Sequence, residues 1–442
     1  MSTTPSMTPA ATSAELYRFK PMNVGRIVVW SLFAIALLVA PLVFTSSLAM
    51  TMLSQIGYLI IICLSYNILL GQGGMLSFGH AVYTGLGSFI AVHAMNMASD
   101  GRLPVPLVLI PVVAGLAGAF FAVLFGYVTT KKSGTTFAMI TLGLGELVAA
   151  MALMFPGFFG GEGGVTTNRV YGKFLWWDFG PQIQVYYLIA VYCFVCTALM
   201  FAFTGTPLGR ILNAVRDNPE RVEFIGYNTQ RVRYFAFIIA GFFAGIGGGL
   251  AAINFEIVNA ADSLSTIRSG GYLLFTFLGG ATLFFGPIIG AALLVFASIL
   301  LSELSKAWLL YLGLVFLFMV MFAPGGIASL IMMNVRVAAF GKFKRLWGLY
   351  GGLLVTGALM VVGLAAIVEM IYHIQLNAAL GPKVHFFGGE LDTSSTATWV
   401  GAVALAVVGG ALMEMVRRRF VRVWGRAQEE IEAEIKRKEM TA

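Results

Sequence analysis

The chain is predicted to be an all-α polytopic membrane protein of about 11–12 membrane segments, interrupted or re-entrant helices among them. Three observations carry that expectation. Of 442 residues, 59% are hydrophobic and only 11% are charged, too little polar surface to clothe a soluble core. The apolar residues fall in runs of about 20, the length a helix needs to cross a bilayer. The runs lack the period-2 alternation that an outer-membrane barrel requires.

Residues 1–25 are rich in Ser, Thr, Pro and Ala and carry Arg18 and Lys20, which predicts a disordered N-terminus. The apolar run 27–45 is too long for a signal peptide and lacks a small-x-small cleavage site, so it reads as an uncleaved first span. Spans follow at about 50–70, 80–97, 104–128, 135–155, 184–203 and 234–255. An apolar piece at 269–283 meets Gly286-Pro287 and resumes as 288–302, and 308–324 comes next. Two more spans, about 349–371 and 397–414, precede a basic tail at 415–442. In that tail Val416, Phe420, Val423, Ala427, Ile431 and Ile435 keep helical spacing. Arg417, Arg418, Arg419 and Arg422 crowd its start, and Glu432–Lys436 and Glu434–Lys438 stand at i, i+4. A solvated helix holding topology is expected, with contact to anionic lipid or a partner protein as the sharper alternative.

Lys and Arg set the orientation. With the N-terminus inside, the outer loops hold Arg102, Arg169, Lys173, Arg268, Lys306 and Lys383, which is 6 of 28 and leaves 22 for the inner segments. Both termini are therefore expected in the cytoplasm. The net charge of +8 is then a topological signal, and no nucleic-acid partner is expected.

Gly209–Asn228 is a polar island in this apolar chain and reads as two short helices on the membrane surface. Thr206-Pro207 and Asn218-Pro219 each place a capping side chain before a proline at the first helical position. Leu208, Ile211, Leu212 and Val215 fall at i, i+3, i+4, i+7, and Gly226 stands where a helix-ending glycine belongs. Arg210, Arg216, Asp217 and Glu220 form the polar faces that another protein would grip.

Other candidates lie inside the spans. Glycines around Gln72, Ser77 and His80 interrupt one helix, and Gly279–Gly286 interrupt another. Backbone freed at membrane depth must be buried in protein or line a wet cavity, so Gln72, Ser77 and His80 are candidate path residues. His80 is equally accounted for by a hydrogen bond in the packed interior. Glu146 is the carboxylate deep in a span. Its burial as an ion costs roughly 2.5–3.5 kcal/mol on insertion scales, which makes it either a path residue or a bonded structural acid. Gly241, Gly245 and Gly249 give two G-x-x-x-G steps on one face, suited to close helix packing. Cys193 and Cys196 form a C-x-x-C with no second pair or His cluster nearby, so small packing residues are expected in place of a metal or redox pair. No catalytic residues and no cofactor are expected.

Four stretches together resemble one family, the inner-membrane permease subunits of ABC importers of the branched-chain amino acid type. They are YNILLGQGGMLSFGHAVYTGLGSF (66–89); KSGTTFAMITLGLGELV (132–148) with GGEGGVT (160–166); the polar island with YFAFIIAGFFAGIGGGLAA (234–252); and FLGGATLFFGPIIGA (277–291) with FAPGGIASL (322–330). The likeness runs from about 50 to 332, which divides the chain into the N-terminus 1–25, a permease domain 26–332, an extension 333–414 with two further spans, and the tail 415–442. The resemblance implies import of branched-chain amino acids or similar small polar solutes across the bacterial inner membrane. It also implies a second related permease, two cytoplasmic ATPases and a periplasmic solute-binding protein as partners. The island then becomes the ATPase-coupling loop, with motion passing through the 234–252 helix. No G-x-x-x-x-G-K-[ST] occurs, so ATP hydrolysis is expected on another chain. The alternative is a self-contained secondary transporter or channel, against which the scarcity of ionisable residues in the spans argues.

Overall fold

The computed structural model describes residues 24–171, 178–305, 307–323, 325–376, 381–386 and 389–441. Residues 1–23 of the N-terminus expected to be disordered, Lys173, Lys306 and the side chain of Lys438 lie outside that description, and Val24 and Gly25 already belong to the first helix.

Helices α1 (Val24–Val43) and α2 (Ser47–Asn67) are joined by a short connection in which Ser46 Oγ accepts from Ala49 N at 3.2 Å and caps α2. α2 widens into a π turn, Ile68–Gln72, and breaks off; α3 (His80–Ser99) resumes after an extended stretch. There follow α4 (Ile110–Thr129), α5 (Gly134–Met154), the short α6 (Pro156–Phe159) and strand β1 (Val165–Thr166). α7 (Gln182–Gly205) leads into α8 (Pro207–Asp217), α9 (Pro219–Phe224) and the long α10 (Thr229–Phe255). Strand β2 (Ile257–Val258) pairs antiparallel with β1, Val165 opposite Val258. Beyond it lie α11 (Ala260–Ser263), α12 (Thr266–Gly279), α13 (Gly286–Phe296) and α14 (Ser302–Leu304). α15 (Trp308–Phe322), α16 (Gly326–Ala339) and α17 (Trp347–Leu376) precede a hairpin of β3 (Lys383–Phe386) and β4 (Gly389–Asp392), and α18 (Thr396–Thr441) closes the chain.

Among the described residues eight helices are long and apolar enough to cross a membrane, or nine if α15 and α16, bent by 50°, count as one span. The sequence reading counted more segments for a physical reason. α3 has the length but is diluted by Gly, Ser, Thr and His, while α12 and α13, the latter continued by a π turn to Leu301, are shorter apolar helices that form a hairpin. Substituents at Gly279, Gly286 and Gly290 would strike the facing backbone of that hairpin, so only glycine lets the arms close.

α10 is the centre of the packing, set against α4, α3 and α2. Its glycines explain why. A methyl at Gly241 would lie 2.5 Å from Ala122 Cβ, one at Gly249 2.6 Å from Ala114 Cβ, and one at Gly245 would overlap the Ala114 carbonyl. Close backbone approach of this kind is how helices bind one another where no hydrophobic effect separates them from lipid. Cys193 and Cys196 are buried in α7 as free thiols.

At the end of the bundle away from α8, the glycine-rich 160–164 stretch folds onto β2, and Arg169 N donates to Glu256 Oε1 at 2.9 Å. Gln182 Nε2 donates to Asn254 Oδ1 at 2.7 Å, so this loop is fastened to the end of α10.

α17 and α18 form an antiparallel pair seamed where Gly409 meets Met360 and Gly363 meets Ala406. With 46 residues α18 is about 69 Å long, more than twice the hydrocarbon thickness, so its second half projects beyond the bilayer. The sequence predicts a solvated helix here; the structure instead covers one side of that half. Its apolar stripe docks: Ile431 is fully buried with Val337 and Leu346, flanked by Phe420, Val423 and Ile435. Lys342 Nζ donates to Glu430 Oε2 at 2.7 Å beside it.

Candidate functional site

The polar island folds as two capped helices. Thr206 Oγ1 accepts from Gly209 N at 3.2 Å and Asn218 Oδ1 from Arg221 N at 3.0 Å, each cap followed by its proline. Gly226, at φ +92°, reverses the chain, and Thr229 Oγ1 donates to Glu223 Oε1 at 2.7 Å to fix α9 on the start of α10. Leu212 and Val215 are buried against the bundle, with Leu208 and Ile211 packed beside them.

The buried face of α8 rests on the break after α2. Asn213 Nδ2 donates to Gln72 Oε1 at 2.9 Å, and Arg216 Nη1 donates to the Gly71 carbonyl oxygen. Gly74, at φ +63°, leaves room for the Arg216 stem, since a methyl there would lie 2.8 Å from Arg216 Cγ. On the far side of Gly71 a methyl would overlap both Asn67 Oδ1 and the Ala281 carbonyl oxygen. The two interrupted helices therefore meet at Gly71, directly beneath α8.

The backbone freed by the break is satisfied by side chains from three neighbouring helices. Tyr66 OH donates to Ser77 O at 2.7 Å and accepts from Ser77 N at 3.1 Å. Phe78 N donates to Thr141 Oγ1 at 3.1 Å, and Ala81 N to Ser269 Oγ at 2.9 Å. Ser65 Oγ donates to Ile62 O at 2.7 Å and lies 2.9 Å from His80 Nε2, which assigns the ring proton to Nε2. Three buried atoms on this stretch lack a protein partner: Asn67 Oδ1, Ser77 Oγ and His80 Nδ1.

The candidate path residues are not brought to one lining. Ser77 and His80 are fully buried in the core, and Gln72 is committed to Asn213. Glu146 stands apart on the exposed face of α5, where Thr266 Oγ1 donates to its Oε1. Gly241, Gly245 and Gly249 lie in the α10–α4 seam. The loop candidates Arg210, Arg216, Asp217 and Glu220 are all exposed, and Arg216 in addition reaches the Gly71 carbonyl and bonds Asp217 at 2.9 Å.

Two features escaped the sequence reading. Phe224 and Ile225, 89% and 71% exposed, form an apolar tip at the end of α9. Their signal was available, since adjacent apolar residues before the turn glycine do not fit the buried stripe. The second is Glu369, a further carboxylate inside a span, which receives Ser305 Oγ and, at 3.2 Å, Tyr311 OH. It stands near the boundary of the expected 349–371 span, whereas α17 continues to Leu376.

A bundle of membrane-crossing helices with two interruptions that meet beneath a capped surface hairpin defines a polytopic transport subunit. The chain belongs to the family described as branched-chain amino acid transport system / permease component, which matches residues 48–324. It is 26% identical over 293 residues to the high-affinity branched-chain amino acid transport system permease protein LivM of Escherichia coli (strain K12), over 61% of this chain and 67% of the relative. Its likeness to the LivM of Salmonella typhimurium has the same extent, 26% over 293 residues. It is 29% identical over 131 residues to the guanosine ABC transporter permease protein NupQ of Bacillus subtilis (strain 168), over 26% of this chain and 40% of that one. No solved structure matches. As an ABC permease, the chain belongs to the transport part of a system that in general includes ATPase and binding-protein components. The matched region stops at 324, so α16, α17 and α18 lie beyond it.

Proposed function

We propose that this chain is the membrane subunit of an inner-membrane importer of branched-chain amino acids, driven by ATPases that dock on α8–α9. The observation that carries the reading is the apolar tip Phe224–Ile225, held out by two capped helices whose other face is wired to the helix break. An exposed aromatic–aliphatic pair on a rigid support is the kind of anchor that fills a partner's pocket. Arg210, Asp217 and Glu220 supply the polar rim around it. A second related permease, two ATPases and an external solute-binding protein complete the assembly, with both termini in the cytoplasm. Residues 26–332 act as the permease domain, 333–414 as an added helical hairpin, and 415–442 as a docked tail.

Glu146 belongs to the translocation path in this reading. An exposed carboxylate on a spanning helix is incompatible with lipid, so its face meets water or the second permease. The relatives' names range from branched-chain amino acids to guanosine, so leucine and guanosine are the two uptake probes. The test of docking is co-purification. Phe224→Asp with Ile225→Asp is expected to reduce recovery of the P-loop ATPase at least about tenfold, since hot-spot losses of 2 kcal/mol or more are of that size. Undiminished recovery would place the contact elsewhere. Glu146→Gln is expected to lower uptake of the transported probe while the ATPase still co-purifies.

A further inference from the structure

The family likeness directs attention along α10, the helix that follows the loop, as the carrier of motion. α10 is poorly suited to that task. Three of its glycines are locked against α4, and a methyl at Gly248 would overlap the Thr84 carbonyl of α3. A helix held on two sides by backbone contacts has no free direction in which to slide.

A second route leaves the same loop through side chains and continues through main-chain contacts. Arg216 of α8 holds the Gly71 carbonyl, and Asn213 holds Gln72. Gly71 abuts the Ala281 carbonyl in the α12–α13 turn. One residue back, Gly280, at φ +120°, faces the Gly325 carbonyl, where a methyl would approach to 2.7 Å. Gly326, at φ +71°, closes on the Gly280 backbone and starts α16. The far end of α16 carries Val337, buried with Ile431 of the tail. Between Gly71 and Gly326 the contacts are backbone against backbone, which offers no rotamers to absorb a displacement, so movement at one glycine moves the next. Asn67 Oδ1, buried beside Gly71, has no protein hydrogen-bond partner among the described residues.

We propose that Arg216 and Gly71 are positioning residues that carry displacement of α8 into the α12–α13 turn, and through Gly280 and Gly326 into α16 and the tail. The proposal rests on the coupling reading of α8–α9 and goes beyond it by naming the route. It also gives the segment beyond the family match a role, since α16 lies at the end of the chain of contacts.

The test measures spin-label distances in the purified full complex with its ATPase, with and without nucleotide trapping. One pair joins Met97→Cys, at the remote end of α3, to Thr282→Cys in the turn. The other joins Met97→Cys to Ala214→Cys on α8. The three native thiols are buried, which leaves the introduced ones to react. Nucleotide is expected to shift both distances in the parent. In Gly71→Ala the Ala214 shift is retained and the Thr282 shift falls to less than about a quarter. Because Gly71→Ala can fail to fold, Arg216→Ala provides a surface alternative with the same expected split, and Arg216→Lys restores part of the Thr282 response by reaching the same carbonyl. An unchanged Thr282 shift in Gly71→Ala or Arg216→Ala overturns the route while leaving coupling intact. No shift of Ala214 in the parent overturns the coupling reading, and the route with it.

Discussion

α10 and the α17–α18 pair are both long apolar helical elements, yet they solve different problems. In its most apolar stretch α10 is 78% buried, whereas α17 and α18 are 17% and 11% buried. Hydrophobicity cannot account for the contrast, because lipid and protein interior are equally apolar. Glycine accounts for it. α10 places Gly241, Gly245, Gly247, Gly248 and Gly249 against neighbours on several sides, while α17 and α18 pack chiefly on each other and turn Leu354, Val355, Val400 and Val407 outward. In this chain small residues decide which helices form the working core and which stand in lipid.

The largest expected effect lies in the α10 seam. Gly245→Leu forces a bulky side chain onto the Ala114 backbone and is expected to cost about 3 kcal/mol or the fold itself, read as loss of monodisperse protein in detergent. The same change at Gly401 of α18, where nothing lies within 4 Å, is expected to leave the protein intact. Equal damage at both positions would remove the distinction between core and periphery.

Next is the joint between the two regions. Glu369 of α17 gathers Ser305 and Tyr311, so Glu369→Leu is expected to weaken docking of the α17–α18 pair by about 2 kcal/mol. Limited proteolysis would register this as faster release of the C-terminal fragment, with the core resistant. Asn218→Ala removes the cap of α9 and is expected to cost about 1 kcal/mol, seen as faster amide exchange in 220–224 only.

The smallest effect concerns acid. Lys342, with Arg345 beyond it, holds the Glu430 carboxylate below its usual range. A depressed folded value means the contribution is present above the ordinary carboxylate range and is lost as pH falls through the folded value. Proteolysis within 425–441 is therefore expected to quicken only in acid below the usual glutamate range, and Lys342→Ala is expected to abolish that dependence. Exposure and salt screening keep the effect small.

The surface helices were legible because every signal in them is local. Thr206, Pro207, Asn218, Pro219 and Gly226 act within a few residues of where they stand, and the α8 stripe needs only its own periodicity. The helix break was legible as a break, from glycines that cannot sustain a span. Its contents were not. Whether His80 faces a path or a serine depends on Ser65, one helix away, and whether Arg216 faces a partner or the bundle depends on the Gly71 carbonyl. The count of spans was blurred by α12 and α13, whose short arms look like spans until Gly279 and Gly286 fold one onto the other.

By itself the sequence determined a helical membrane chain, the ends of its surface helices, its glycine-broken segments and its family, since hydropathy, caps and motif order are properties of contiguous residues. The tertiary structure alone decided that the two breaks meet at Gly71, that Arg216 reaches the Gly71 carbonyl, that Phe224 and Ile225 stand out, and that the tail docks through Ile431. Each of these is a contact between segments far apart in the chain, and no local signal encodes which distant surface a side chain will find.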